Sequence, residues 1–220
     1  MKIGFTLKPK DGNILDFEKQ IENLEKIGAE TAEIPLYELD VVCGKKIIQD
    51  ELKLLNNITR NSNLNFSIHG SMSVNLLDKD YLEDHLEVLK REIEVCSDLN
   101  TNILVTHFGH TSVETSKNKK KYDDLINIQK QKYFEMAEIA KVYGVKLCIE
   151  NIFPYTNLHF TALPSEVSDN IREIDHPNAR TTIDFSHAYI NCNLRNKNLI
   201  SEIQTMIPFT EHLHVHDSFG

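Results

Sequence analysis

The sequence predicts an α/β fold built on a parallel β-sheet, and three observations carry that expectation. Short β-rich runs alternate with longer segments of helical periodicity. The runs recur at roughly the 30–40-residue scale of a βα unit. His, Asp and Glu residues sit at the C-terminal ends of one run after another.

The β-rich runs are KIGFTL from Lys2, TAEIPL from Thr31, NFSIHG from Asn65, NILVTHFG from Asn102, VKLCIEN from Val145, ARTTIDF from Ala179 and EHLHVHD from Glu211. Between them, residues 16–27 place Phe17, Ile21, Leu24 and Ile27 on one helical face. Residues 80–99 do the same with Leu82, Leu86, Leu89, Ile93 and Cys96, and residues 124–142 with Leu125, Ile128, Met136, Ile139 and Ala140. Gly28 and Gly144 mark helix ends. Asp16, Asp80 and Ser165 are the expected N-caps, with Pro164 in the loop just before a helix. Two architectures fit this alternation: an open doubly wound sheet and a (β/α)₈ TIM barrel. No G-x-G-x-x-G follows the first run and no Walker-type loop appears, which weakens the nucleotide-binding open sheets.

The chain has 220 residues, 40% of them hydrophobic and 26% charged, an ordinary composition for a soluble domain. No linker or composition shift divides it, so residues 1–220 are expected to form one domain. No apolar run approaches the ~20 residues of a membrane span, and the N-terminus lacks the apolar segment of a signal peptide. A formal net charge of −9 argues against a nucleic-acid partner. The basic cluster Lys117, Lys119, Lys120 and Lys121 reads as a solvated loop and helix start. Cys43, Cys96, Cys148 and Cys192 form no C-x-x-C pair and read as reduced thiols of a cytoplasmic protein, with Cys96 and Cys148 in the core.

The polar residues carry the functional signal. Glu33 lies near the end of the second run; His69 ends the third, His107 the fourth, Glu150 the fifth and Asp184 the sixth, with His187 in the following turn. The seventh carries His212, His214 and His216, then Asp217. In a barrel these ends converge on one rim. Buried carboxylates and imidazoles are costly unless paired or ligated, so the series reads as a metal site. His and carboxylate donors without thiolates suit Mn²⁺ or Zn²⁺ first, with Co²⁺, Fe²⁺ and Mg²⁺ as alternatives. Spacing by two puts His212, His214 and His216 on one strand face, so they cannot be equivalent ligands of one ion. His214 is the preferred ligand, His216 lies closer to substrate and His212 deeper. Lys8, Glu33 and Tyr37 are further rim candidates, weighed evenly against surface-loop roles.

The landmarks GAETAEIPL, IHGSMSVNLLD, VTHFGH, CIEN, TIDFSHAY and LHVHD, in this order, resemble the xylose isomerase-like TIM barrel superfamily over nearly the whole chain. That superfamily holds sugar and sugar-phosphate isomerases and epimerases, related dehydratases and metal-dependent abasic-site endonucleases. The resemblance implies that Glu150, Asp184 and His214 bind a shared divalent metal, with a Glu on an eighth strand as fourth ligand. It implies a catalytic role for Glu150 and for His187, and substrate contacts from His69 and His107; strand position adds His216 and Glu33 as substrate-contact candidates. The chain stops at Gly220, so the eighth strand and last helix are absent from it; a fragment of a longer protein is expected, and a homo-oligomeric interface across the open edge is the other way to cover it.

Within the superfamily the residues favour an isomerase or epimerase of a small sugar or sugar phosphate, working through an ene-diolate. The alternatives are an abasic-site endonuclease, which the resemblance implies would use His69, His107, Glu150, Asp184, His187 and His214 in a multi-metal cluster, a dehydratase, or a metal-binding barrel without activity. Against the endonuclease, the second strand leads into PLYELDVVCG without the Arg-bearing loop of those enzymes, and Met72 stands where they carry an aromatic wedge.

Overall fold

The computed structural model describes residues 1–153 and 158–217. Seven strands form one parallel sheet: β1 (Gly4–Thr6), β2 (Thr31–Pro35), β3 (Asn65–His69), β4 (Ile103–His107), β5 (Lys146–Glu150), β6 (Ala179–Asp184) and β7 (Thr210–His214). Their order across the sheet follows their order along the chain. A doubly wound sheet reverses direction at a switch point. This one never does, which selects the curled, singly wound path of a partial TIM barrel.

The helices are α1 (Asp16–Lys26), α2 (Gln49–Arg60), α3 (Leu82–Asp98), α4 (Val113–Lys117), α5 (Lys119–Val142), α6 (Pro164–Ile174), α7 (Phe185–Arg195) and α8 (Leu199–Met206). Strand alternation divides the two sheet faces. Ala32, Ile34, Ile68, Leu104, Leu147 and Ile183 join the main core with Phe17, Leu55, Leu89, Ile93 and Tyr133 from the helices. Glu33, His69, His107, Glu150, Asp184 and His214 share the other face, where the curled sheet encloses a cavity of about 1460 Å³. Two short antiparallel hairpins are added: Val42–Cys43 with Lys46–Ile47, and His110–Ser112 with Leu158–Phe160.

Among the described residues β1 and β7 are the sheet edges, paired on one side only. Ile3, Phe5, Leu213 and Val215 lie exposed along this seam. None of the four cysteines is paired; Cys96 and Cys148 are buried as expected. No described helix is long and apolar enough to cross a membrane.

Helix starts differ from the sequence expectation. Asp16 lies inside α1, after Leu15, and its carboxylate accepts from the Lys10 amide at 2.8 Å. α3 begins at Leu82, and it is Asp78, not Asp80, that collects amides, those of Asp80 and Tyr81. Pro164 opens α6 rather than preceding it, which its fixed φ and missing N–H favour. Ser165 therefore falls in the first turn, and the Glu166 carboxylate accepts the Ala162 and Leu163 amides at 3.0 Å. The side-chain caps are Ser112, Asn118, Asp184 and Asn198. The path of the incoming loop decides which polar residue reaches the free amides, and residue type does not reveal that path. Ile27 is exposed, because α1 ends before it turns inward. On α5 Gln129 is fully buried, while its neighbour Ile128 is half-buried.

Candidate functional site

Glu150, the last residue of β5, lines the cavity and is 2% exposed. Strand register brings its neighbours to it: His107 pairs with Glu150 across β4 and β5, and Asp184 pairs with His214 across β6 and β7. Glu150 Oε2 accepts from His107 Nε2 at 3.0 Å and lies 3.4 Å from His69 Nε2. Its Oε1 lies 2.9 Å from His214 Nδ1 and 3.4 Å from His187 Nδ1. One buried carboxylate therefore meets imidazoles from β3, β4, β7 and the start of α7.

Asp184 serves two purposes. It caps α7, its Oδ1 accepting the His187 amide at 2.7 Å, while Oδ2 lies 2.8 Å from His216 Nε2 and 4.0 Å from His214 Nδ1. A helix cap holds a carboxylate in one orientation, so the free oxygen points where the cluster needs it. The three β7-side histidines spread along the cavity as the spacing by two predicts. His212 reaches Glu33, His214 lies between Glu33 and Glu150, and His216 reaches Asp184.

The electrostatics follow from this crowding. Burial alone would raise the Glu150 carboxyl; hydrogen bonds from His107, His187, His214 and His69 override it and hold it well below the carboxylate range. His214 is pushed up to about 11: burial opposes this, but Glu150 and Glu33 flank the ring. Burial likewise works against His69 and His187, and the carboxylates again win and raise both. His107 goes the other way. It is fully enclosed, so burial lowers its pKa despite the Glu150 hydrogen bond, and among the described residues its Nδ1 has no hydrogen-bond partner. It serves as a neutral ring donating through Nε2.

A second layer of polar residues holds these groups, and most of it escaped the sequence reading. Asn151 clasps the Asp184 backbone, accepting its amide at 2.9 Å and donating to its carbonyl at 2.8 Å, and the Asn151 carbonyl accepts from His187 Nδ1 at 3.0 Å. Asn191 donates to the carbonyls of Ile152 and His187. Tyr133 donates to the His107 carbonyl. Gln129 accepts the Gly109 amide, and Asn75 brackets the His110 backbone by accepting at 2.9 Å and donating at 3.0 Å. Gly109 is needed there: a Cβ would stand 2.3 Å from Asn75 Oδ1. The only sequence hint was position, since Asn151 directly follows Glu150 and Asn75 lies in the loop after His69.

The expected residues converge. Glu33, His69, His107, Glu150, Asp184, His187, His214 and His216 all line the cavity. Tyr37 lines it too, its ring edge-on to His69 with centroids 5.1 Å apart, and Met72 is part of the same wall. Lys8 is exposed and lies outside the cavity lining. Lys117 and Lys119–Lys121 span the α4–α5 junction, away from the site; Lys119 pairs with Asp123.

The donor set fits a divalent cation. Glu150, Asp184 and His214 offer one ligand atom each within 4.8 Å of one another. His69, His107 and Glu150 form a second such group, Asp184, His187 and His216 a third, and Glu33, His212 and His214 a fourth. Carboxylate-rich N/O sites of this kind suit Mn²⁺, Zn²⁺ and their neighbours.

Known proteins place this geometry in context. The chain is 24% identical over 135 residues to the uncharacterized protein MJ1614 of Methanocaldococcus jannaschii, covering 61% of this chain and 47% of that one. It is 24% identical over 135 residues to the uncharacterized protein MJ1311 of the same organism, covering 44% of it. The matches thus span less than half the length of these curated relatives. Among solved structures, D-psicose 3-epimerase from Clostridium cellulolyticum H10, with D-tagatose, superposes with a TM-score of 0.73 at 18% identity, covering 97% of this chain and 72% of that chain. The 3-keto-D-glucoside 4-epimerase from E. coli, in its apo form, gives 0.73 at 15% identity, covering 99% and 79%. At such identities the likeness is one of fold. The family model described as xylose isomerase-like TIM barrel matches residues 21–220, and the chain belongs to that family.

Proposed function

We propose that this chain is the barrel domain of a divalent-cation-dependent isomerase or epimerase that acts on a small sugar or sugar phosphate through an ene-diolate. The observation that carries this reading is the buried, ionised Glu150, met by imidazoles from four elements beneath a cavity of about 1460 Å³. Similarity in fold to two sugar 3- and 4-epimerases supports the substrate class.

Glu150, Asp184 and His214 would hold the cation. When bound, it supplies Lewis-acid stabilisation of the charge that develops as a proton leaves the carbon beside a carbonyl. The chain's own residues do the rest. Glu150 stays ionised and so can accept a proton. His187 is anchored through Nδ1 on the Asn151 carbonyl, which leaves Nε2 to hold a substrate hydroxyl. His69, His107, His216 and Glu33 complete the polar lining, while Tyr37, Met72 and Phe153 give apolar wall against which a sugar carbon skeleton packs and water is excluded. The test is deuterium exchange from solvent into a panel of ketoses by the Mn²⁺-loaded chain. Exchange at the carbon beside the carbonyl is expected. A cation-loaded chain that exchanges no ketose sinks this reading.

One observation favours a second reading. His69, His107 and Glu150, and Asp184, His187 and His216, form two donor groups beside the first, the arrangement a multi-metal phosphodiester hydrolase needs. Incubation with a duplex carrying one abasic site decides: strand cleavage that scales with cation loading selects the endonuclease.

A further inference from the structure

We propose that Glu33 is a positioning residue that fixes the ring of His214, so that Nδ1 faces Glu150 and Asp184. The inference rests on the reading of Glu150, Asp184 and His214 as cation ligands.

His214 belongs to an edge strand, and no strand among the described residues flanks its outer side. Something else must hold its ring. Glu33 lies on β2, 181 residues away in sequence, and reaches across the open seam. Its Oε2 is 2.9 Å from His214 Nε2. The opposite ring nitrogen, Nδ1, is 2.9 Å from Glu150 Oε1 and 4.0 Å from Asp184 Oδ2. The imidazole is thus strung between two carboxylates, and turning it over would exchange a cation-facing nitrogen for the Glu33-facing one. His69 stacks on the same ring at 5.7 Å with planes 10° apart, which fixes the ring plane but not which nitrogen faces which way. Glu33 supplies that choice.

Glu33 is itself held. It is 6% exposed, His212 Nε2 lies 3.0 Å from the same Oε2, and the hydroxyls of Ser67 and Thr6 lie at 3.5 and 3.4 Å. Ligating imidazoles commonly donate their other N–H to a carboxylate, which sets the tautomer and strengthens the ligand. Here that carboxylate comes from β2, the strand next to the opposite edge of the sheet. Glu33 also ties β7 to β2 where, among the described residues, the sheet has no hydrogen bonds to do so.

The test uses the 220-residue chain with Mn²⁺ for calorimetry and Zn²⁺ for ¹⁵N imidazole spectroscopy. Glu33→Gln is expected to weaken Mn²⁺ binding by roughly 10–100-fold and to shift the His214 ¹⁵N pattern. His212→Ala, which removes one contact of Glu33 but leaves the Glu33–His214 contact in place, is expected to weaken Mn²⁺ binding less than Glu33→Gln does. If Glu33→Gln binds Mn²⁺ as wild type does, with an unchanged His214 tautomer, the positioning role is overturned while the ligand set stands. Loss of a whole equivalent of Mn²⁺ in His212→Ala also overturns it, making Glu33, His212 and His214 a cation site of their own. Wild-type protein that binds no Mn²⁺, or Glu150→Gln that binds it unchanged, defeats the ligand reading instead. Should Glu33→Gln fail to fold, the wild type still decides. Nε2 protonated and Nδ1 on Zn²⁺ is expected, and the reverse overturns the proposal.

Discussion

The middle of the sheet and its two edges are built to different standards. Strands β2 to β6 are buried along almost their whole length, hydrogen-bonded on both sides and covered by helices. β1 and β7 are paired on one side and hold only half-buried and exposed residues. The site draws on both. His69, His107, Glu150 and Asp184 come from the rigid middle, each no more than 9% exposed. His212, His214 and His216 come from the edge and its continuation. Packing orients the first set, whereas the second depends on side-chain hydrogen bonds to Glu33, Glu150 and Asp184.

The sharpest way to break that contrast is Glu150→Gln in the middle. It removes the charge on which four imidazoles converge. Ketose exchange is expected to fall by roughly 10²–10⁴-fold, the usual worth of a positioned acid–base group. Exchange within a few-fold of wild type removes Glu150 from the chemistry.

Stability tests the contrast directly. Leu147 is wholly buried on β5, while Phe5 on β1 is 54% exposed. Leu147→Ala should cost about 2–5 kcal/mol in urea unfolding. Phe5→Ala should cost under about 1 kcal/mol, since little packing is lost. Equal losses would mean that the edge is packed as tightly as the middle.

Behind the middle strands, α3 carries Glu92 in full burial, its pKa raised from the ordinary 4.5 to about 7 by desolvation, which outweighs the hydrogen bond from the Ser71 amide. Folding therefore holds the proton that the unfolded chain releases near pH 4.5. Below that pH both states are protonated and nothing is lost. As pH rises from 4.5 to 7 this group reduces stability by roughly 3 kcal/mol, and beyond 7 its contribution is flat. Unfolding free energy measured against pH should lose that fall in Glu92→Gln, and a variant with the same pH profile would show that Glu92 does not titrate this way.

At the edge, the cation itself supplies the last test. Mn²⁺ at about 100 times its Kd should add ~2.7 kcal/mol to unfolding, and a chelator should reverse it. His214→Ala should abolish the gain. A gain that survives places the ion on the middle strands alone.

Much of the site was legible in the chain because a parallel sheet gathers its strand ends on one rim. That single rule joined His69, His107, Glu150, Asp184 and His214 across 145 residues of sequence, and period-two spacing ordered the three histidines of β7. What stayed hidden depends on contacts with no local signal. Glu33 was readable as a rim residue, yet not as the partner of His214 on the far edge. Gln129 lies beside the apolar stripe predicted for α5, yet it is buried and accepts the Gly109 amide, a contact that no local pattern marks. The caps failed for the same reason: Asp16 and Asp80 have the right chemistry, but the loops arrive elsewhere.

Sequence alone determined the alternation of strands and helices, the inward face of each strand and the carboxylate–imidazole character of the rim, since periodicity and residue type are local properties. The tertiary structure decided three further things: that the strands run in chain order without a switch point, that one carboxylate, Glu150, sits among four imidazoles, and that β2 reaches β7 through Glu33. These depend on the curl of the sheet, which brings together residues that share neither a helix nor a hydrogen-bonded strand pair, and no local pattern records that curl.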